Sequence, residues 1–135
     1  MSVGLCLITH DRLGETLLDT AVSMLGGRPL PAGTVSVGSA ADPEQVLAQA
    51  REKVRALDHG DGVIVLTDMF GATPSNIAAA LRGAGSRVVV IAGVNLPMLV
   101  RLLNYPGLTL TQLADKAVSG GREGIFRCDE GGESA

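Results

Sequence analysis

Val3-Gly4-Leu5-Cys6-Leu7-Ile8-Thr9-His10-Asp11-Arg12 decides how the rest of the chain is read. Val3 to Ile8 is a short, continuous apolar run, which fits a strand buried on both faces. The polar group Thr9-His10-Asp11-Arg12 ends it. Leu17, Leu18, Ala21, Val22 and Leu25 then recur at the spacing of one helical face. Gly26-Gly27 stops that helix, and Pro29 and Pro31 forbid its resumption. A buried strand followed by an amphipathic helix is the opening unit of a parallel sheet clothed by helices.

The unit repeats along the chain. Thr34 to Val37 alternates instead of running solidly apolar, so it belongs at the sheet edge. Asp42, Pro43 and Gln45 announce a second helix with an N-cap, a proline at the first position and a capping box. Its buried face reads Val46, Leu47, Ala50, Val54 and Leu57. Asp58-His59-Gly60-Asp61-Gly62 is a turn by composition. Val63 to Leu66 is a second solid strand, ending at Thr67-Asp68, and Thr73-Pro74 starts a third helix with Thr73 as cap. Arg87 to Ala92 is the next apolar strand. Leu96 to Leu103 and the segment bearing Leu110, Leu113, Ala114, Ala117 and Val118 are two further helices. Glu123 to Cys128 reads as a last strand after the Gly120-Gly121 break.

These elements predict an α/β fold: a doubly wound, mostly parallel four-stranded sheet with helices on both faces, plus a C-terminal strand. Residues 1–128 form one domain, and 129–135 an acidic, disordered tail.

Composition narrows the function. The chain has 135 residues, enough for one full core, and its aromatic share is 2%, so Leu, Val, Ile and Ala must fill that core. A net charge of −3, with no Lys/Arg run, argues against nucleic acid. The N-terminus lacks the pattern of a signal peptide, and no stretch reaches the ~20 apolar residues of a membrane span. The expectation is a cytoplasmic protein. Cys6 and Cys128 sit in strand-like segments without a second ligand at metal spacing, and read as small core residues.

In a doubly wound sheet a ligand binds beyond the carboxyl ends of the strands, where the strand order reverses. With a flavodoxin-like order, that crevice lies between the first and third strands, and so between His10 and Asp68. A neutral imidazole is a nucleophile able to take a phosphoryl group on one nitrogen, while a carboxylate on the other fixes the tautomer. The N–H groups opening the third helix, with the Thr73 hydroxyl, suit the oxygens of the transferred group, and Gly71 lets the backbone approach. Blander readings stand beside these. Asp68 can brace its own loop through an Asx turn, and Thr73-Pro74 can serve helix initiation alone. Asp11 has two open roles, capping the first helix or assisting His10. His59 falls at the other end of the sheet.

Taken together, His10 after the first strand, Thr67-Asp68-Met69-Phe70-Gly71-Ala72-Thr73-Pro74-Ser75-Asn76, Ala92-Gly93-Val94-Asn95-Leu96-Pro97-Met98 and Gly121-Arg122-Glu123-Gly124-Ile125 resemble the IIA component of the mannose family of the bacterial phosphoenolpyruvate-dependent sugar phosphotransferase system. The resemblance runs from about Val3 to Arg127. It implies a phosphotransferase that accepts a phosphoryl group from the phosphocarrier protein HPr on His10 and passes it to a IIB component. It further implies Asp68 as the partner carboxylate and Gly71, Ala72 and Thr73 as the phosphate-binding segment, with no cofactor and no metal. The family's last strand is exchanged across a homodimer, and contact with the membrane is indirect, through transporter subunits.

Three departures stand out. Ala72 replaces a common second glycine. Asp11 follows the histidine where a small residue is usual, adding negative charge beside an incoming phosphate. The chain stops near Ala135 without an Ala/Pro linker or a IIB domain, which leaves two roles open: feeding a separate IIB, or acting as a regulatory phosphorylation sensor.

Two rivals fit worse. A two-component receiver needs an acidic pair after the first strand and a Lys ending the last, where this chain has Thr9-His10-Asp11 and no such Lys. A dinucleotide-binding domain needs Gly-x-Gly-x-x-Gly after the first strand, and that is absent.

Overall fold

Leu5, Cys6, Leu7 and Ile8 are fully buried, as a strand covered on both faces requires. In the computed structural model, which describes residues 2–83 and 85–131, they form the middle of β1 (Gly4–His10). The chain continues through α1 (Leu13–Leu25), β2 (Ala32–Val37), α2 (Pro43–Leu57), β3 (Val63–Thr67), α3 (Thr73–Ala79) and β4 (Val88–Ala92). It closes with α4 (Leu96–Leu103), α5 (Leu110–Glu123) and the short α6 (Cys128–Gly131).

All strand pairings are parallel, in the order β2-β1-β3-β4. Side chains of successive strand residues point to opposite faces, and the core divides accordingly. Leu5, Leu7, Ile64 and Leu66 pack with α1, α4 and α5 through Leu18, Leu99, Leu102 and Leu113. Cys6, Ile8, Val63 and Val65 pack on the other face with Val46, Ala50, Ile77 and Leu81. Burial pushes the Cys6 thiol up to about 12, against a smaller opposing pull from Lys53. The result is a three-layer sandwich whose order reverses between β1 and β3. That reversal sets the carboxyl ends of those two strands side by side.

Several expectations change in detail. Asp42 does cap α2, but it accepts from Glu44 N–H at 3.1 Å, with no capping box. The box forms instead at α5, between Thr109 and Gln112. Ala72, not Thr73, is the N-cap of α3, so Thr73 is its first helical residue. Cys128 lies exposed in α6, not in a strand. Of the tail expected over 129–135, the first residues belong to α6 and 132–135 lie outside the described residues.

The largest correction is the last strand. Gly120 and Gly121 do not break the chain; they are inside α5. A Cβ on Gly120 would lie 2.4 Å from the Cβ of Arg101, and one on Gly121 would lie 2.9 Å from the Met98 thioether methyl. Close packing of α5 on α4 needs both glycines, and this outweighs their poor helix propensity of roughly 1 kcal/mol each. Asn95 holds the helix end by donating to Gly121 O at 3.1 Å. Glu123 therefore ends a helix, and residues 124–127 follow without regular structure. Ile125 and Phe126 stand 75% and 74% exposed. Ile125 shares a cavity of about 250 Å³ with Ile91 and Ala92 of the unpaired β4 edge. Among the described residues, no helix is long and apolar enough to cross a membrane.

Candidate active site

His10 is the last residue of β1, and Asp68 follows the last residue of β3. Parallel register brings these strand ends together, Ile8 standing opposite Thr67. Asp68 Oδ2 accepts the His10 backbone N–H at 3.0 Å and lies 2.8 Å from His10 Nδ1. The other oxygen, Oδ1, accepts Met69 N–H at 3.0 Å. Both carboxylate oxygens are thus engaged, and the group is fixed from two directions. The side chain of His10 is 49% exposed while that of Asp68 is only 11% exposed.

This geometry settles the tautomer. A carboxylate only accepts, so Nδ1 carries a proton in either charge state, and whenever the ring is neutral its lone pair is on Nε2. Burial pushes the Asp68 carboxyl up. The hydrogen bonds from the His10 amide and ring, and the attraction of the ring's charge, pull harder the other way, so its pKa falls below the ordinary carboxylate value. Asp68 stays ionised while it orients the ring.

The turn between β1 and α1 supports the histidine from below. Thr9 is buried, and its Oγ1 accepts Gly14 N–H at 2.7 Å and donates to His10 O at 3.3 Å. Sequence reasoning passed over Thr9; the available signal was a hydroxyl residue closing a buried strand directly before the candidate nucleophile. Asp11 does not cap α1, whose N-cap is Arg12 without a side-chain hydrogen bond. It takes φ 45° and donates its N–H to Val37 O at 3.0 Å, extending the β1–β2 pairing past the strand.

The expected phosphate segment follows Asp68 directly. Gly71 has φ 87°, a conformation that favours glycine. Ala72 caps α3 with extended backbone, and Thr73 opens the helix on its exposed side. Met69 and Phe70, between them and Asp68, are 65% and 86% exposed. His59 is not brought to this end of the sheet; it precedes β3, in the turn where Asp58 accepts Gly60 N–H at 2.9 Å and Gly62 N–H at 3.1 Å. Among the described residues no cluster of His, Cys, Asp and Glu could hold a metal ion.

Comparison with known proteins bears on this arrangement. The family model EIIA-man, described as the PTS system fructose IIA component, matches residues 4–117. The PTS system mannose-specific EIIAB component of Escherichia coli K12 is 32% identical over 127 residues, covering 93% of this chain and 39% of that protein. The chain therefore spans about two fifths of that relative's length. The transcriptional regulatory protein LevR of Bacillus subtilis is 28% identical over 112 residues, covering 80% of this chain and 12% of the regulator. Among solved structures, the mannose/sorbose specific IIA subunit of the phosphotransferase system from Enterococcus faecalis superposes with a TM-score of 0.82 at 26% identity, covering 94% of this chain and 95% of that one.

Proposed function

We propose, on the premise that this chain belongs to the EIIA-man family of phosphotransferase-system IIA components, that it accepts a phosphoryl group on His10 Nε2 and hands it on. Members of the family are phosphotransferases of sugar uptake. The observation that carries the reading for this chain is the 2.8 Å contact between Asp68 Oδ2 and His10 Nδ1. It leaves Nε2 as the nucleophilic nitrogen on a half-exposed ring.

The donor in this reading is a protein phosphohistidine, that of HPr. The Nε2 lone pair forms a new N–P bond as the donor's N–P bond breaks, its electron pair returning to the donor imidazole. The Nδ1 proton stays where it is, and the Asp68 carboxylate stabilises the positive charge the ring gains. The Gly71 backbone N–H and the Thr73 hydroxyl receive the phosphoryl oxygens, while the Ala72 N–H, donated to Met69 O at 3.3 Å, holds the loop that presents them. Transfer to a IIB component repeats the exchange with His10 as donor. A half-exposed histidine suits delivery by a protein, because the partner surface, not a closed pocket, supplies the exclusion of water.

The test is transfer of labelled phosphate from phosphoenolpyruvate through enzyme I and HPr. Wild type and His59→Ala should take an acid-labile, base-stable label, and His10→Ala should take none. Label persisting in His10→Ala protein would remove the reading.

A second reading is a regulatory module whose phosphorylated state controls a partner, favoured by the similarity to the LevR regulator. The two differ in the fate of the label. Rapid passage to a IIB protein, with genes for IIB and membrane components nearby, supports the carrier role. Label that stays on His10 in the presence of IIB supports the module.

A further inference from the structure

Among the described residues Asp11 is the single non-glycine with a positive φ, and it directly follows the acceptor histidine. Left-handed backbone is open to aspartate, but glycine takes it at lower cost. The turn alone therefore gives no reason for a side chain here, and what Asp11 adds is charge. Its carboxylate makes no hydrogen bond or ion pair among the described residues. The adjacent cation, Arg12, is turned to Glu15 at 3.3 Å instead. No lysine or arginine bonds His10 or Asp68 among the described residues, whose own pairing is with each other.

We propose that the Asp11 carboxylate, one residue past His10 on the left-handed turn, destabilises the phosphorylated form and so tunes this histidine toward giving its phosphoryl group away. The inference rests on His10 being the acceptor. Consecutive Cα atoms lie about 3.8 Å apart, so a charge separation of about 8 Å, the Debye length at physiological salt, is within reach of the two side chains. A phosphoryl group adds about −1.5 to −2 charge. Repulsion across about 8 Å of water-like dielectric then weakens the phosphorylated form about fivefold at low salt. Asp11 forms no bond and moves no proton; the exchange of N–P bonds is the one described above.

The test is the equilibrium constant for phosphoryl transfer between phospho-HPr and the full chain. Asp11→Asn, which tolerates the same backbone, should raise the phosphorylated share about fivefold at low salt. The difference should vanish near about 1 M salt, where the Debye length is about 3 Å. Asp11→Glu should keep the wild-type value. Equal constants for wild type and Asp11→Asn, or a difference that salt does not move, would overturn the proposal while leaving His10 as acceptor. Unlabelled wild-type protein would overturn both.

Discussion

At the scale of single residues, the site turns on one oxygen. Asp68 Oδ2 holds both the amide and the ring of His10, so removing its charge disturbs tautomer and tilt together. Asp68→Asn should leave the fold intact and slow phosphoryl transfer by about 10²–10⁴-fold, measured by quench-flow with labelled HPr. An unchanged rate would reduce Asp68 to a brace of its loop. The same carboxyl makes a pH prediction. Its pKa is lower folded than unfolded, so its contribution to stability is full above the ordinary carboxylate value and is lost as pH falls through the depressed folded value. Acid unfolding followed by circular dichroism should therefore begin from a smaller margin in Asp68→Asn, with the gap to wild type closing at low pH. The pairing of His10 with Asp68 was legible in the sequence because a doubly wound sheet brings its switch-point strand ends together. Which ring nitrogen stays free was not legible. It depends on which ring nitrogen faces Asp68 Oδ2, and spacing carries no record of that.

At the scale of elements, the buried strands announced themselves as apolar runs, since a strand covered on both faces has no polar side to show. The edge strand β2 was equally readable by its alternation. Gly120-Gly121 misled, because glycine reads as a breaker when only its own propensity is weighed. The reason for it stands across the interface, in Arg101 and Met98, and no local pattern contains that. Gly120→Ala would force a methyl into the Arg101 stem, a cost of about 1–3 kcal/mol for overpacking. Urea unfolding should show that loss with an unchanged denaturant slope. A neutral substitution would mean that α4 and α5 can part without cost.

At the scale of the molecule, β4 is an edge of half-buried apolar residues, exposed Ile125 lines a cavity with its Ile91 and Ala92, and Phe126 is exposed beside α4. Unpaired edges invite association, and exchange of a terminal segment is a low-cost route to a closed dimer. A homodimer in which residues after Gly124 cross to the partner's β4 edge is therefore proposed. Size-exclusion chromatography with light scattering should give a dimer for the full chain and a monomer for one ending at Gly124. A monomeric full chain would sink the dimer, and a dimeric truncated chain would sink the exchange alone. The sequence did mark Glu123 to Cys128 as strand-like. Glu123 instead ends α5 and Cys128 begins α6, so local apolar character did not decide between strand and helix ends.

One feature of the site offers a handle that needs no label. The His10 amide is held by the Asp68 carboxylate, a titratable acceptor, at 3.0 Å. Its nuclear magnetic resonance should thus behave as a built-in gauge. The amide proton sits downfield while the carboxylate is charged, and it moves when that carboxylate is protonated or when the ring acquires a phosphoryl group. A single backbone resonance would let the occupancy of the imidazole be followed in real time, in the unmodified protein, as partners are added.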